Sequence, residues 1–362
     1  MKKARMMNKP EDYEKLGLKH GTVEVWEDGR RDNGRAGAFE WWYFDCILDD
    51  GTKIVLVFAP KPSERAMNDG DLPFVQMMVT LPDGTSHTER FDYTSDEANF
   101  KKDYCDIRIG THTVSGNLKE YLMKIEPIKG YGAELKFTSL GQSWRPETGY
   151  FGFGDQDEQY FTWFCVMPKG KVTGTLTLNG EIKEVNGFGY HDHQWGNIHH
   201  ASAWNHWIWA RQNLGDYNIL VFDLVTNKDF GFKHYPIAFI EDKDGNIIFE
   251  NTENAKFEVF EEYLQEQTQK YYPKSFKYTF ENNGKKVEYS LKVKSEIEVV
   301  DAYSKSPEQV RAMFDNSGLR PSYVRYEGLG ELVMTEVDEQ IKRSGNLIYE
   351  MMYNGKSYKE HA

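Results

Sequence analysis

Five of the ten histidines (His191, His193, His199, His200, His206) and four of the nine tryptophans (Trp195, Trp204, Trp207, Trp209) fall between Tyr190 and Arg211. At the centre of this crowding runs Gly187-Phe188-Gly189-Tyr190-His191-Asp192-His193-Gln194-Trp195-Gly196-Asn197. Asp192 beside His193 supplies a carboxylate and an imidazole, the side chains best suited to move protons near neutral pH. Glycines at both ends let the backbone bend, so the polar side chains between them are expected to turn together toward a cavity. The Trp faces can shelter a cation, at about 0.5–2 kcal/mol each, and an apolar wall raises a carboxyl pKa, as a general acid requires. The same residues also suit a structural role, with Asp192 and His193 bonded to backbone and the Trp rings filling core. Metal binding by His191 and His193, joined by His199 or His200, needs further ligands that the spacing does not supply, so no metal is expected.

Two other segments carry chemistry. In Phe39-Glu40-Trp41-Trp42-Tyr43-Phe44-Asp45, strand alternation places Glu40, Trp42 and Phe44 on one face and Trp41, Tyr43 and Asp45 on the other. Trp41 and Trp42 suit core or a barrel plug, whereas a carboxylate such as Asp45 in an aromatic strand needs a partner or a function. Asp223, inside Ile219-Leu220-Val221-Phe222-Asp223-Leu224-Val225, is costly to bury alone. It either works chemically or turns the chain with Thr226 and Asn227. Arg211, in Trp207-Ile208-Trp209-Ala210-Arg211, can pair with one of these acids or with a substrate carbonyl or carboxylate.

The elements that must position these residues are short strands. Lys53–Ala59, Phe74–Leu81, Ser86–Tyr93, Lys171–Leu178, Glu181–Asn186, Tyr217–Val225, Asn246–Glu250, Lys286–Val293 and Glu331–Val337 have strand patterns. They are punctuated by Pro82-Asp83-Gly84, Asn179-Gly180, Asp244-Gly245 and Asn283-Gly284 turns. One helix is announced, with Ser306 as cap, Pro307 first, Gln309 completing a capping box and Gly318 ending it. Many strands and one helix indicate a sandwich or barrel and disfavour nucleotide-binding α/β folds. Tyr43–Phe58 and Trp207–Phe222 share an order of aromatic strand, glycine and apolar strand at a spacing of about 164 residues. The 362 residues divide most economically into two domains, 1–198 and 199–362, with no flexible linker, so the halves are expected to pack closely.

The net charge of −13 argues against a nucleic-acid partner. Lys2, Lys3 and Arg5 precede no apolar run, so neither a signal peptide nor stable membrane insertion is expected and a cytoplasmic location follows. Cys46, Cys105 and Cys165 are odd in number and widely spaced, which suits buried packing in a reducing compartment.

Together, Glu40-Trp41-Trp42-Tyr43-Phe44, Gly189-Tyr190-x-Asp192-His193-x-Trp195-Gly196 and Trp207-x-Trp209-x-Arg211 resemble the carotenoid 1,2-hydratase (hydroxyneurosporene synthase) and AttH-like family, over roughly residues 35–360. The resemblance implies a mostly β fold of two tandem lipocalin-like (calycin) antiparallel barrels packed together, with few short helices and a pocket between them, similar to fungal Diels–Alderases and kievitone-hydratase-like proteins. It also implies cofactor-free chemistry on hydrophobic molecules. His193 and Trp195 match the family's His-x-Trp pair, and Asp223 its downstream catalytic aspartate. The hydratases carry Tyr two residues before that aspartate where this chain has Val221, so Tyr190 or Tyr43 would have to serve in proton transfer. The expected function is a hydratase, dehydratase, isomerase or cyclase acting on an isoprenoid- or polyketide-like substrate. Asp223 or Asp192 would give the proton, His193 would orient the acid or activate water, and Trp195 would shelter the cation. Tyr43, Trp41, Asp45, Trp207, Trp209 and Arg211 would bind substrate. A lipid or terpenoid carrier is the alternative, followed by a metal-dependent hydrolase using His191, His193 and His199.

Overall fold

Along Lys53–Ala59, Ile54, Leu56 and Phe58 are buried while Lys53, Val55 and Val57 are only partly covered. That period of two is the pattern of a sheet with one face on a core. The computed structural model describes residues 2–62, 65–253, 255–337 and 339–361, without the side chains of residues 360 and 361. The protein is mostly β, built as two curled antiparallel sheets with short helices. It divides into two compact units, Arg5–His199 and His200–Ala362, the latter taking in Met1–Ala4.

In the N-terminal unit, strands Phe39–Leu48, Lys53–Ala59, Phe74–Thr80 and Ser86–Asp92 form a meander. Glu181–Gly196 returns to pair with Phe39–Leu48, and Gln159–Leu178, Tyr131–Ser139 and Glu120–Ile128 continue the sheet. In the C-terminal unit, Trp204–Asn213, Asn218–Thr226, His234–Glu241 and Ile247–Asn251 form the meander. Glu339–Tyr353 returns to pair with Trp204–Asn213, followed by Ser322–Glu336, Lys285–Asp301, Lys270–Asn282 and Ala255–Gln265. One strand order is used twice, and the two hairpins that look alike in sequence open both sheets. The hairpin turns Asn179-Gly180 and Asn283-Gly284 have positive φ at both residues, which suits the twist of the strands they join.

The segment Ala255–Tyr272 is a strand pair running through a turn. The helix near residue 310 starts later than its sequence implies. Glu308–Ser317 is helical with Pro307 at its N-cap and Gly318 in the left-handed region, at φ 69°. Ser306 instead ends a preceding short helix, Ala302–Lys305, and donates to the Ala302 carbonyl at 2.7 Å, which removes it from capping. A second helix, Pro10–Leu16, has no apolar stripe long enough to announce it.

The N-terminal core packs Trp42, Phe44, Leu56, Phe58, Phe137 and Phe164. The C-terminal core is instead rich in phenols, among them Tyr272, Tyr278, Tyr289, Tyr326 and Tyr349. Cys46, Cys105 and Cys165 are all buried, and none of them forms a disulfide among the described residues. Among the described residues, no helix is long and apolar enough to cross a membrane.

Candidate functional site

The strand Glu181–Gly196 pairs with Phe39–Leu48 in unbroken register from Gly187 to Gly196. Opposed residues of an antiparallel ladder share a face. Tyr190, Asp192 and Gln194 therefore lie with Asp45, Tyr43 and Trp41, while His191, His193 and Trp195 lie with Phe44, Trp42 and Glu40. The flanking glycines do not gather the polar side chains into one place as the sequence suggested. Ladder hydrogen bonding holds a plain alternation through them, so Asp192 and His193 point to opposite faces.

The inner face is a closed ionic cluster. His191 sets Nδ1 2.9 Å from the Tyr43 carbonyl and Nε2 3.2 Å from Asp28 Oδ2. His193 sets Nε2 2.9 Å from Glu40 Oε1, and its Nδ1 lies 3.3 Å from Asp28 Oδ1. Glu40 also accepts from the backbone N–H groups of Arg31 and Asp32, and Tyr121 donates to Asp28 at 2.5 Å. Trp42 stacks on His193 at 4.3 Å and Phe44 on His191 at 3.8 Å. Burial alone would raise the Asp28 carboxyl, yet the charge and hydrogen bonds of the two imidazoles hold it well below the ordinary carboxylate range. Burial alone would likewise lower His193, and the two carboxylates raise it. Trp195 closes the cluster, its ring 4.5 Å from His193 and its N–H on the Tyr150 hydroxyl at 3.0 Å. The nitrogens of His191 and His193 already face these acceptors. Among the described residues no group of three or more His, Cys, Asp or Glu is arranged to hold a metal ion.

Asp192 lies on the other face. It is 4 % exposed, and its side-chain hydrogen bonds among the described residues come from neutral donors. Oδ2 accepts from the Tyr190 hydroxyl at 2.9 Å and the Trp163 indole N–H at 3.2 Å, whereas Oδ1 has only the Gln194 amide at 3.4 Å. Burial pushes its carboxyl up to about 6, a rise that the Tyr190 and Trp163 hydrogen bonds restrain without cancelling. The neighbouring Trp41, Tyr43 and Asp45 are half-buried, and the Tyr43 and Tyr190 rings meet edge-on at 6.3 Å.

Asp223 belongs to the C-terminal unit, on the core side of Asn218–Thr226. Tyr278 donates to its Oδ2 at 3.0 Å, and His234 Nδ1 lies 3.4 Å from its Oδ1. Trp207, Trp209 and Arg211 lie on the opposite side of that sheet from the core residues Ile208 and Ala210. The Trp207 N–H approaches Glu350 at 3.4 Å, and the Arg211 guanidinium lies 5.6 Å from the Trp209 ring. His199 and His200 follow the central strand, and buried His206 sets Nδ1 3.0 Å from the Asn205 amide. Four of the groups that define these clusters were not singled out by sequence: Asp28, Trp163, Tyr278 and His234. Glu40 had been placed with Trp42 and Phe44, but without a partner. For Asp28 the sole signal was an acidic pair, Glu27-Asp28, which is indistinguishable from a solvated turn.

Residues 30–303 match the family model described as AttH-like. The chain belongs to the AttH-like family. Among relatives of this AttH-like protein, the quinolone epoxide rearrangement protein penF of Penicillium thymicola is 26% identical over 246 residues, which is 60% of this chain and 63% of the relative. The quinolone epoxide rearrangement protein asqO of Emericella nidulans is 30% identical over 82 residues, 23% of this chain and 21% of the relative. The chain thus spans less than two thirds of the length of these curated relatives. Three solved structures share the fold. An AttH-like protein of Nitrosomonas europaea superposes with a TM-score of 0.60 at 16% identity, covering 92% of this chain and 97% of that one. CghA gives 0.60 at 13% identity (92% and 96%), and kievitone hydratase of Nectria haematococca gives 0.54 at 15% (92% and 93%). At such identities the likeness is one of fold.

Proposed function

We propose that this AttH-like protein is a cofactor-independent acid–base enzyme of the hydratase, isomerase or cyclase kind, acting on a hydrophobic small molecule with Asp192 as proton donor. One observation carries the reading: a buried carboxyl with neutral donors only, pushed up to about 6. At neutral pH about a tenth of such groups are protonated, against about one in a thousand for an ordinary aspartic acid. That proton belongs on Oδ1, because Oδ2 is already taken by the Tyr190 and Trp163 donors. The same two donors support the carboxylate once the proton has left, which favours the transfer without moving any group.

The chemistry follows from a neutral acid beside aromatic faces. Asp192 protonates an alkene carbon or an epoxide oxygen, or assists a leaving hydroxyl, and positive charge develops on carbon. Trp41 and Tyr43, on the same face, offer π surfaces to it. Addition of water, loss of a neighbouring proton or capture by a second double bond then gives hydration, isomerisation or cyclisation. Epoxide rearrangement and hydration, named in the relatives, are both reactions that an acid of this kind can start. His193 and Trp195 act from behind the strand as positioning residues, since the inner cluster fixes the segment that carries Asp192. Asp45, on the Asp192 face, is assigned to substrate binding, and Trp207, Trp209 and Arg211 take the equivalent place on the first strand of the second sheet.

The test uses the full chain and its Asp192→Asn variant with an aryl epoxide, an isoprenoid alkene and a prenylated phenol, products being resolved by chromatography and mass spectrometry. The wild type should convert at least one of them, and the variant should lose about 10²–10⁴-fold in rate. Equal rates in both proteins reject Asp192 as the acid. Tight binding with every compound recovered unchanged replaces the enzyme by a carrier.

A further inference from the structure

Nothing in the reading above uses His234 or Tyr278, yet these two enclose the one carboxylate facing the C-terminal core at this point. Asp223 is 2 % exposed, and its Oδ1 makes no hydrogen bond among the described residues. His234 Nδ1 lies 3.4 Å from it. Tyr278, fully buried, holds Oδ2 at 3.0 Å from the strand Lys270–Asn282. Its hydroxyl remains a donor, because burial and the adjacent carboxylate raise its pKa well above the ordinary phenol value. A phenol two residues upstream on the same strand is impossible here, since that position is Val221. Tyr278 brings one from another strand.

His234 differs from its partners in reaching solvent. Its side chain is 45% exposed, at the start of His234–Glu241, while Asp223 lies beneath it. With Nδ1 directed at the carboxylate, Nε2 points away from it. Around the imidazole stand the rings of Phe257 at 6.3 Å and His206 at 6.3 Å, and Phe257 packs on Tyr278 at 4.9 Å. Among the described residues, Asp223 and His206 approach it from the neighbouring strands, and Tyr278 holds Asp223 from a third. An imidazole backed by a carboxylate is the arrangement of a general base or acid whose orientation is fixed from behind, and flat rings beside it suit a flat ligand.

We propose that His234 is a second acid–base group, carried by the C-terminal unit, that exchanges a proton with a planar conjugated carbonyl compound or its enol. Asp223 and Tyr278 are its positioning residues. Asp223 thus acts through the imidazole instead of protonating substrate itself. The assignment does not rest on Asp192.

The probe is 5-nitrobenzisoxazole, a planar carbon acid. In its elimination Nε2 takes the proton on C3, the released electron pair completes the carbon–nitrogen triple bond, and the N–O bond breaks with its pair on oxygen, giving the coloured cyanonitrophenolate. The full-length wild type should eliminate it at least about tenfold faster than His234→Ala or, should that variant unfold, His234→Gln. Burial lowers the His234 pKa, but the adjacent Asp223 carboxylate raises it above the ordinary imidazole value, so the rate should grow as pH rises through that raised value. Asp223→Asn should shift the profile to lower pH. His20→Ala, which removes a more exposed imidazole beside Glu147, should change nothing. Equal rates for the wild type and the folded His234 variant, or an unmoved profile in Asp223→Asn, overturn the proposal.

Discussion

Asp192 and His193 are adjacent in the chain, equally enclosed, and electrostatically opposite. Behind the strand, two imidazoles meet two carboxylates in a cluster where each charge has a partner. In front of it, the Asp192 carboxylate is hydrogen-bonded by neutral donors among the described residues. Both faces shift the ionisation of their residues, but the inner one does so by attraction and the outer one by desolvation. An ion held by a counter-ion is suited to fixing a strand. A carboxyl raised by burial keeps a proton that it can give away.

The largest effect should come from breaking the inner cluster. Asp28→Asn removes the negative charge between His191 and His193 and leaves the Glu40 carboxylate on His193. Deleting one partner of a buried ion pair costs about 3–5 kcal/mol. The urea midpoint of Asp28→Asn should therefore fall well below that of the wild type. A loss no larger than that of an exposed-residue variant would mean that the cluster is not ionic.

The outer face should respond with the opposite sign. A carboxyl raised from 3.8 to about 6 by folding binds its proton more tightly when folded. It weakens the fold progressively as pH rises from about 4 to 6, by about 3 kcal/mol at most, and the penalty is constant above that. Asp192→Asn should relieve it, so the variant should match the wild type near pH 4 and exceed it at pH 8 in denaturant midpoint. Asp28 behaves in reverse: its stabilisation is present above the usual aspartate range and is lost as pH falls. His193 stabilises below the ordinary imidazole value, and that contribution is lost as pH rises through its raised value. A flat difference between Asp192→Asn and wild type across this range would show that Asp192 is not desolvated.

How these faces divide was only partly legible in the sequence. Alternation in Phe39–Asp45 correctly separated Glu40, Trp42 and Phe44 from Trp41, Tyr43 and Asp45, because side-chain direction on a strand follows from position alone. The strands, the turns and the Asp-His-x-Trp-Gly signature were likewise local and readable. In Gly187–Asn197 the glycines suggested bending where the ladder imposes regular alternation, so acid and imidazole were expected to work side by side. Asp28 and Trp163 lie 163 and 29 residues from the His191 and Asp192 groups they bond, and His234 and Tyr278 meet Asp223 only through strand order. No local pattern encodes such meetings. The second sheet repeats the topology of the first without repeating its core chemistry, with Tyr rings where the first has Phe and Trp, and period alone is blind to that substitution.

The smallest expected effect is also the most specific to the outer face. Tyr190 and Trp163 both stabilise the ionised form of Asp192, so each restrains a rise that burial causes. Tyr190→Phe and Trp163→Phe remove one donor apiece while keeping a ring, and each should raise the Asp192 carboxyl above about 6, with the larger step for Tyr190, whose bond is the shorter at 2.9 Å against 3.2 Å. Carbon-detected NMR titration of the aspartate carboxyl reads this directly. A fall in either variant would mean that water or a reoriented Gln194 replaces the lost donor, and the acid strength of Asp192 would then be set by access to solvent and not by its two fixed hydrogen bonds.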